Sequence, residues 1–147
     1  MSLIGRMFGR LFSRGSITVP VLRFSGAIGM ATPLKPGLSI ATAAGAIERA
    51  FSDTRAPAVA IVINSPGGSP VQSRLIYKRI RALAEEKGKP VYAFIEDIGA
   101  SGGYLLALAG DEIHADISSI VGSIGVITSG FGVRHSMFDV RHSTFDV

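Results

Sequence analysis

Two glycine turns carry the residues of this chain that could do chemistry, INSPGGS at 63–69 and EDIGASGGY at 96–104. Each follows an apolar run of strand length. In an open α/β sheet the carboxyl ends of parallel strands gather such turns into one crevice. The second turn presents Ser101 ahead of an apolar stretch of helical character. There a hydroxyl can attack a carbonyl carbon while nearby amides, Gly102 included, face the developing negative charge. The first turn can supply exposed backbone donors, because glycine permits the close approach an oxyanion site needs. The spacing GASGG is not the G-x-S-x-G elbow of esterases, and a serine ahead of a helix is also a favoured cap. On these residues alone, nucleophile and cap both stand.

The turns need a sheet to hold them. ITVPVLRF (17–24) reads as a strand, with Pro20 marking an edge or a bulge. Residues 25–38 read as loop, and Ser39–Phe51 as a helix, with Ile40, Ala44, Ile47 and Phe51 at helical spacing. AVAIVI (58–63) is an unbroken apolar run of the kind found in strands buried on both faces. Val71–Lys87 forms a long amphipathic helix with Leu75, Ile76, Arg79, Ile80 and Leu83 along its inner side and borders. Gly88 stops it and Pro90 opens the strand PVYAFIE. An apolar helix over Tyr104–Ala109 and short strands at Asp111–Ala115 and Ile124–Thr128 complete the pattern. Strands alternating with helices at these lengths predict an α/β fold with one central sheet. Phe51, Phe94 and Phe131 read as core, and Tyr104 as packing beside the cleft; Tyr77 and Tyr92 carry no separate signal.

Composition narrows the function classes. The chain has 147 residues, room for a single core, and no cysteine, which removes disulfides, thiolate nucleophiles and cysteine-ligated zinc. Most of the net charge of +4 comes from Arg6, Arg10 and Arg14 at the amino end, the interior is roughly balanced, and no basic stripe interleaved with aromatics crosses it, so nucleic acid is not an expected partner. No segment reaches the length of a membrane span. Residues 1–16 are nevertheless amphipathic, with Leu3, Ile4, Met7, Phe8, Leu11 and Phe12 on one helical face and Arg6, Arg10 and Arg14 on the other. That pattern suits peripheral contact of residues 1–14 with an anionic membrane surface, or packing of the apolar side on the domain or a partner subunit.

INSPGG, ASGGY and VGSIGV, in this order and spacing, resemble the signal peptide peptidase family of serine peptidases (the protease IV type, peptidase family S49), relatives of Clp protease. The resemblance covers about residues 17–132 and implies a Clp/crotonase-like fold, repeated β-β-α/β-α-β units around a mostly parallel sheet, cut short at its carboxyl end. It implies Ser101 as the nucleophile, and Gly67, Gly68 and Gly102 as donors to the oxyanion hole. Ser123, Ile124, Gly125 and Val126 match the stretch that shapes the substrate cleft, where an extended peptide can pair with a strand edge. It further implies cleavage of short hydrophobic or signal peptides, no cofactor, homo-oligomers or assembly with a full-length relative, and a place at the bacterial inner membrane or in the cytoplasm.

The base is the point of departure. The resemblance implies a lysine some fifty residues after the serine, which falls beyond Val147, so no general base is identified. Lys35, Lys78, Lys87 and Lys89 all precede Ser101. Of these, Lys78, Lys87 and Lys89 read as solvated charge on and beside a helix, and Lys35 lies in a proline-flanked loop. His114 reads as a structural histidine. Residues 133–147 repeat a heptad, RHSMFDV then RHSTFDV, and are not expected to belong to the fold. Their His135, Asp139, His142 and Asp146 allow a triad or a metal site on paper, with no second shell to support either. Asp53, Glu96, Asp97 and Asp111 read as caps or surface charges, Asp97 being near enough to help order the serine turn. Besides a serine peptidase incomplete in this chain, an inert peptide-binding or assembly-modifying relative would retain the same turns. An acyl-CoA-processing crotonase-type enzyme would bind thioesters and have no need of Ser101.

Overall fold

The computed structural model describes residues 18–30, 37–123 and 125. Among these, five parallel strands and three helices alternate: β1 (Val21–Ser25), α1 (Ile40–Ser52), β2 (Val59–Ser65), α2 (Pro70–Lys87), β3 (Val91–Ala100), α3 (Gly102–Ala107), β4 (Glu112–Ala115) and β5 (Ile120–Gly122). The strands lie in the order β1-β2-β3-β4, and β5 pairs with the distal half of β3, beyond β4. β1 is an edge strand, as Pro20 suggested, and the Pro20 carbonyl accepts from the Ala60 amide at 2.9 Å.

Local chemistry explains the helix ends. Ser39 and Thr42 form a reciprocal capping box at the start of α1. At its other end the Lys89 ammonium donates to the carbonyls of Phe51 and Asp53, tying α1 to the entry of β3. Ser69 caps α2 ahead of Pro70 at the first helical position, where a missing N–H costs nothing. Gly88 closes the same helix in the left-handed region, with the Lys89 amide returning to the Ala84 carbonyl. Arg79 joins α2 to Glu48 of α1 at 2.7 Å. Arg81 reaches Asp111, whose other carboxylate oxygen accepts from the Val91 amide.

Alternation along the strands assigns the two faces of the sheet. Leu22, Phe24, Val59, Ile61, Ile63, Val91, Ala93 and Ile95 point to one side and meet Ile47, Phe51, Ile76, Ile80 and Leu106 from the helices. The opposite side carries the row Arg23–Val62–Phe94–His114 and is half-exposed. Phe94 therefore does not join the core: it is 39% exposed and stacks on the His114 ring, centroids 5.0 Å apart. The apolar strand correctly indicated a parallel sheet, but the register assigns this phenylalanine to the face that carries no helix among the described residues. On α2 the buried positions are Ser73, Ile76, Ile80, Leu83 and Ala84, with Leu75 outside. Phe51 is buried as expected, and Phe131 lies outside the described residues.

One strand boundary differs from the sequence reading, and one expected strand is not described. β3 runs on to Ala100, so the serine turn is tighter than the glycines suggest. The strand expected at Ile124–Thr128 falls outside the described residues apart from Gly125, and the strand observed nearby is β5. β3 also bulges. Pairing goes from Ile63↔Ile95 to Ser65↔Gly99, so Asn64 alone in β2 is matched by Glu96, Asp97 and Ile98 in β3.

Candidate active site

Ser101 sits between β3 and α3 with φ 52° and ψ −117°. A side-chain-bearing residue at positive φ is strained by about 1–3 kcal/mol, and such residues gather at functional sites. Among the described residues only Ser101 and Ser123 do this without being glycine. The turn is held by the Ser101 amide donating to Gly122 of β5 at 2.9 Å, and by the Leu105 amide donating to the Ser101 carbonyl at 3.1 Å. Its hydroxyl makes no capping bond to α3. Ser101 thus holds the N-cap position through its backbone alone, with no side-chain capping bond.

The first glycine turn packs directly on the second. A methyl group built on Gly67 would lie 2.7 Å from the Gly102 nitrogen and 2.8 Å from both the Ala100 carbonyl oxygen and Ser101 Cβ. The two glycines of INSPGG then differ. The Gly67 amide turns inward to Ser65 Oγ at 3.1 Å. Gly68 bridges Ile28: the Ile28 amide donates to the Gly67 carbonyl, and the Ser69 amide donates to the Ile28 carbonyl. In such a parallel bridge the central residue's own N–H faces away from its partner, which leaves the Gly68 amide turned off Ile28. Gly102, buried at the start of α3, contributes the amide next to Ser101.

Ser65 was not singled out by its sequence. Fully buried, its hydroxyl donates to the Gly26 carbonyl at 2.6 Å and accepts from Gly67, so one side chain fixes the turn from beneath. A serine two residues ahead of an amide it can cap is the signal that could have found it. Ser73, also fully buried, donates to the Ser69 carbonyl at 2.8 Å, and its Oγ fills the space a side chain at Gly102 would need.

The candidate bases lie elsewhere or outside the described residues. Lys87 pairs with Glu86, Lys89 caps α1, Lys78 is exposed on α2, and His114 stacks on Phe94 with Glu112 at 3.5 Å. Burial pushes the Tyr104 hydroxyl above the usual phenol range, so it stays protonated and inert near neutrality. Lys35, Ile124, Val126 and the tail residues His135, Asp139, His142 and Asp146 lie outside the described residues. Ser123 and Gly125 lie just beyond β5, exposed. Among the described residues no group of three or more His, Asp or Glu is arranged to hold a metal ion.

A parallel α/β sheet with a strained serine at a strand-to-helix junction, faced by a glycine turn, is an architecture of the Clp/crotonase-like fold class. The solved structure of a mutant 1510-N membrane-bound stomatin-specific protease shares this fold, with a TM-score of 0.56 at 21% identity over 80% of this chain and 52% of that one. Residues 83–141 match the model of peptidase family S49. The chloroplastic serine protease SPPA of Arabidopsis thaliana is 46% identical over 71 residues, 48% of this chain and 10% of that one. Over residues 83–141 the chain is similar to the S49 peptidases. It is also 60% identical over 127 residues to a Brucella melitensis protein named Na(+)/H(+) antiporter NhaA, a match covering 86% of this chain but only 17% of that protein. The chain thus spans a small fraction of the length of these relatives. No helix among the described residues is long and apolar enough to cross a membrane.

Proposed function

We propose that Ser101 is the nucleophile of a peptide-cleaving site, with the Gly68 and Gly102 amides receiving the substrate's carbonyl oxygen. The observation that carries this reading is the strained Ser101 backbone, uncapped and packed against Gly67. Ser101 Oγ adds to the scissile carbonyl carbon while its proton passes to a base. The oxygen becomes an oxyanion met by the two amides. Collapse breaks the C–N bond as the base returns the proton to the departing amine, and water, deprotonated by the same base, then frees the acyl group from Ser101. Gly67, its amide committed to Ser65, serves as the contact between the turns and not as a third donor. The substrate is a short hydrophobic or signal peptide, paired in extended form with the Ser123–Val126 stretch that follows β5 in the sequence. The proton acceptor is a lysine brought by a further segment or by a homologous partner chain.

A serine-directed fluorophosphonate with mass-spectrometric localisation tests this. In the chain alone, the adduct is expected at Ser101 only and to be lost in Ser101→Ala. With no base beside Ser101 among the described residues, its rate should climb about tenfold per pH unit, following hydroxide, and should not level off near neutrality. Labelling that persists in Ser101→Ala would sink the assignment.

Residues 1–14 extend the proposal to an anionic membrane surface. Flotation with phosphatidylserine vesicles is expected to weaken by about 10²-fold when Arg6, Arg10 and Arg14 become Gln, at ~1 kcal/mol per basic side chain. Unchanged flotation would remove the membrane role.

A further inference from the structure

The β3 bulge is tied down from three directions. Arg23 of β1 grips the Glu96 carboxylate, both of whose oxygens lie within 2.7 Å of one guanidinium nitrogen. Ser119, in the turn between β4 and β5, donates to the Glu96 carbonyl at 2.6 Å. Asn64 of β2 donates from its side-chain amide to the Asp97 carboxylate at 2.8 Å. Asn64 opens the INSPGG turn and Asp97 lies four residues before Ser101. That hydrogen bond therefore spans the two turns of the site on the side away from the helices.

The bulge sets the relative advance of the two strands. Past it Ser65 stands opposite Gly99, and Ala100 opposite Gly122. Had β3 kept the register of Ile63↔Ile95, Ser65 would face Asp97, and Gly99 would face Gly67, two residues later than observed. The close approach of Gly67 to Gly102 and Ser101 depends on those extra residues staying where they are.

We propose that Asp97 is a positioning residue: through Asn64 it sets the turn bearing Gly67 and Gly68 against the turn bearing Ser101. This rests on the reading of those turns as a peptidase site, but its geometry can be tested without any activity. Asp97 is exposed, so its replacement leaves the core intact. Asparagine at this position keeps an acceptor for Asn64, whereas alanine does not.

With selective ¹⁵N-glycine labelling, Asp97→Ala is expected to shift the Gly67 and Gly68 amide resonances and speed their exchange, and Asn64→Ala to do the same. The double variant should add little to either single one, and Asp97→Asn should keep the wild-type positions. Undisturbed Gly67 and Gly68 signals in Asp97→Ala would overturn the proposal, as would an Asp97→Asn spectrum resembling that of alanine. Fluorophosphonate labelling at Ser101 is then expected to fall by up to about 10²-fold in Asp97→Ala and to recover in Asp97→Asn, the cost of a misplacement near 1 Å. A chain whose wild-type Ser101 never labels, yet whose glycine signals respond as expected, would sink the nucleophile assignment and leave the positioning role standing.

Discussion

Replacing Gly67 with alanine is expected to destabilise the fold by about 4 kcal/mol, from ~1–3 of backbone strain and ~1–3 of overpacking. The strain arises because Gly67 has φ +97°, a region that side chains rarely adopt. The overpacking arises because the new methyl would meet the Gly102 nitrogen, the Ala100 carbonyl oxygen and Ser101 Cβ, all within 2.8 Å. Two of these atoms are backbone, so relief requires one turn to move away from the other. Gly26→Ala separates the two effects: its φ is +87°, yet no atom lies within 4 Å of the added methyl. That control should lose only the strain, about 1–2 kcal/mol. Urea midpoints at constant slope provide the comparison. Equal losses at both positions would mean the two turns do not touch as described.

The glycine turns and the order of strands and helices were legible in the sequence because each depends on local patterning. AVAIVI has no polar residue to interrupt it, and Val71–Lys87 repeats its apolar positions at helical intervals, with Gly88 beyond. Ser101 was legible as a candidate, but its conformation was not. GASGG does not announce a strained turn, and this one is held by the Gly122 carbonyl, supplied by a strand about twenty residues later. The division of labour between Gly67 and Gly68 was hidden for a similar reason. It depends on Ser65 Oγ below the turn and on the bridge to Ile28, neither of which is a property of the motif itself.

Phe94 and the bulge show where patterning misleads. An apolar residue in an apolar strand reads as core, yet strand alternation sends Phe94 to the same face as Arg23, Val62 and His114. Glu96, Asp97 and Ile98 are ordinary residues for a strand end, and nothing in them announces extra length. Their partners Arg23, Asn64 and Ser119 come from three separate elements, so the bulge exists only once the sheet has assembled. The geometry of the candidate site is in this sense a tertiary product. Each turn is encoded locally, but the distance between them is determined by contacts across β1, β2, β3 and the approach to β5.

Gly103→Ala tests that tertiary dependence most severely, since local preference and packing oppose each other there. Gly103 lies within α3, where alanine is favoured over glycine by about 1 kcal/mol. The added methyl, however, would clash with the Ser65 carbonyl oxygen and come within 3.2 Å of Ser65 Cβ. Overpacking of this kind costs ~1–3 kcal/mol. Displacing Ser65 also loosens the buried bonds of its hydroxyl to Gly26 and Gly67, where an unsatisfied group costs ~1–3 kcal/mol. Packing should win, with a net loss of roughly 3 kcal/mol after the helical gain is deducted. Gly45→Ala supplies the opposite case: it is also helical but exposed, and its nearest neighbour is the flexible Arg49 side-chain end at 3.3 Å. That substitution should stabilise by about 0.5–1 kcal/mol. Thermal or urea unfolding of the two variants should therefore move in opposite directions. If Gly103→Ala instead stabilised the fold, α3 would not rest on the end of β2, and Ser101 would lose the support that places it over the glycine turn.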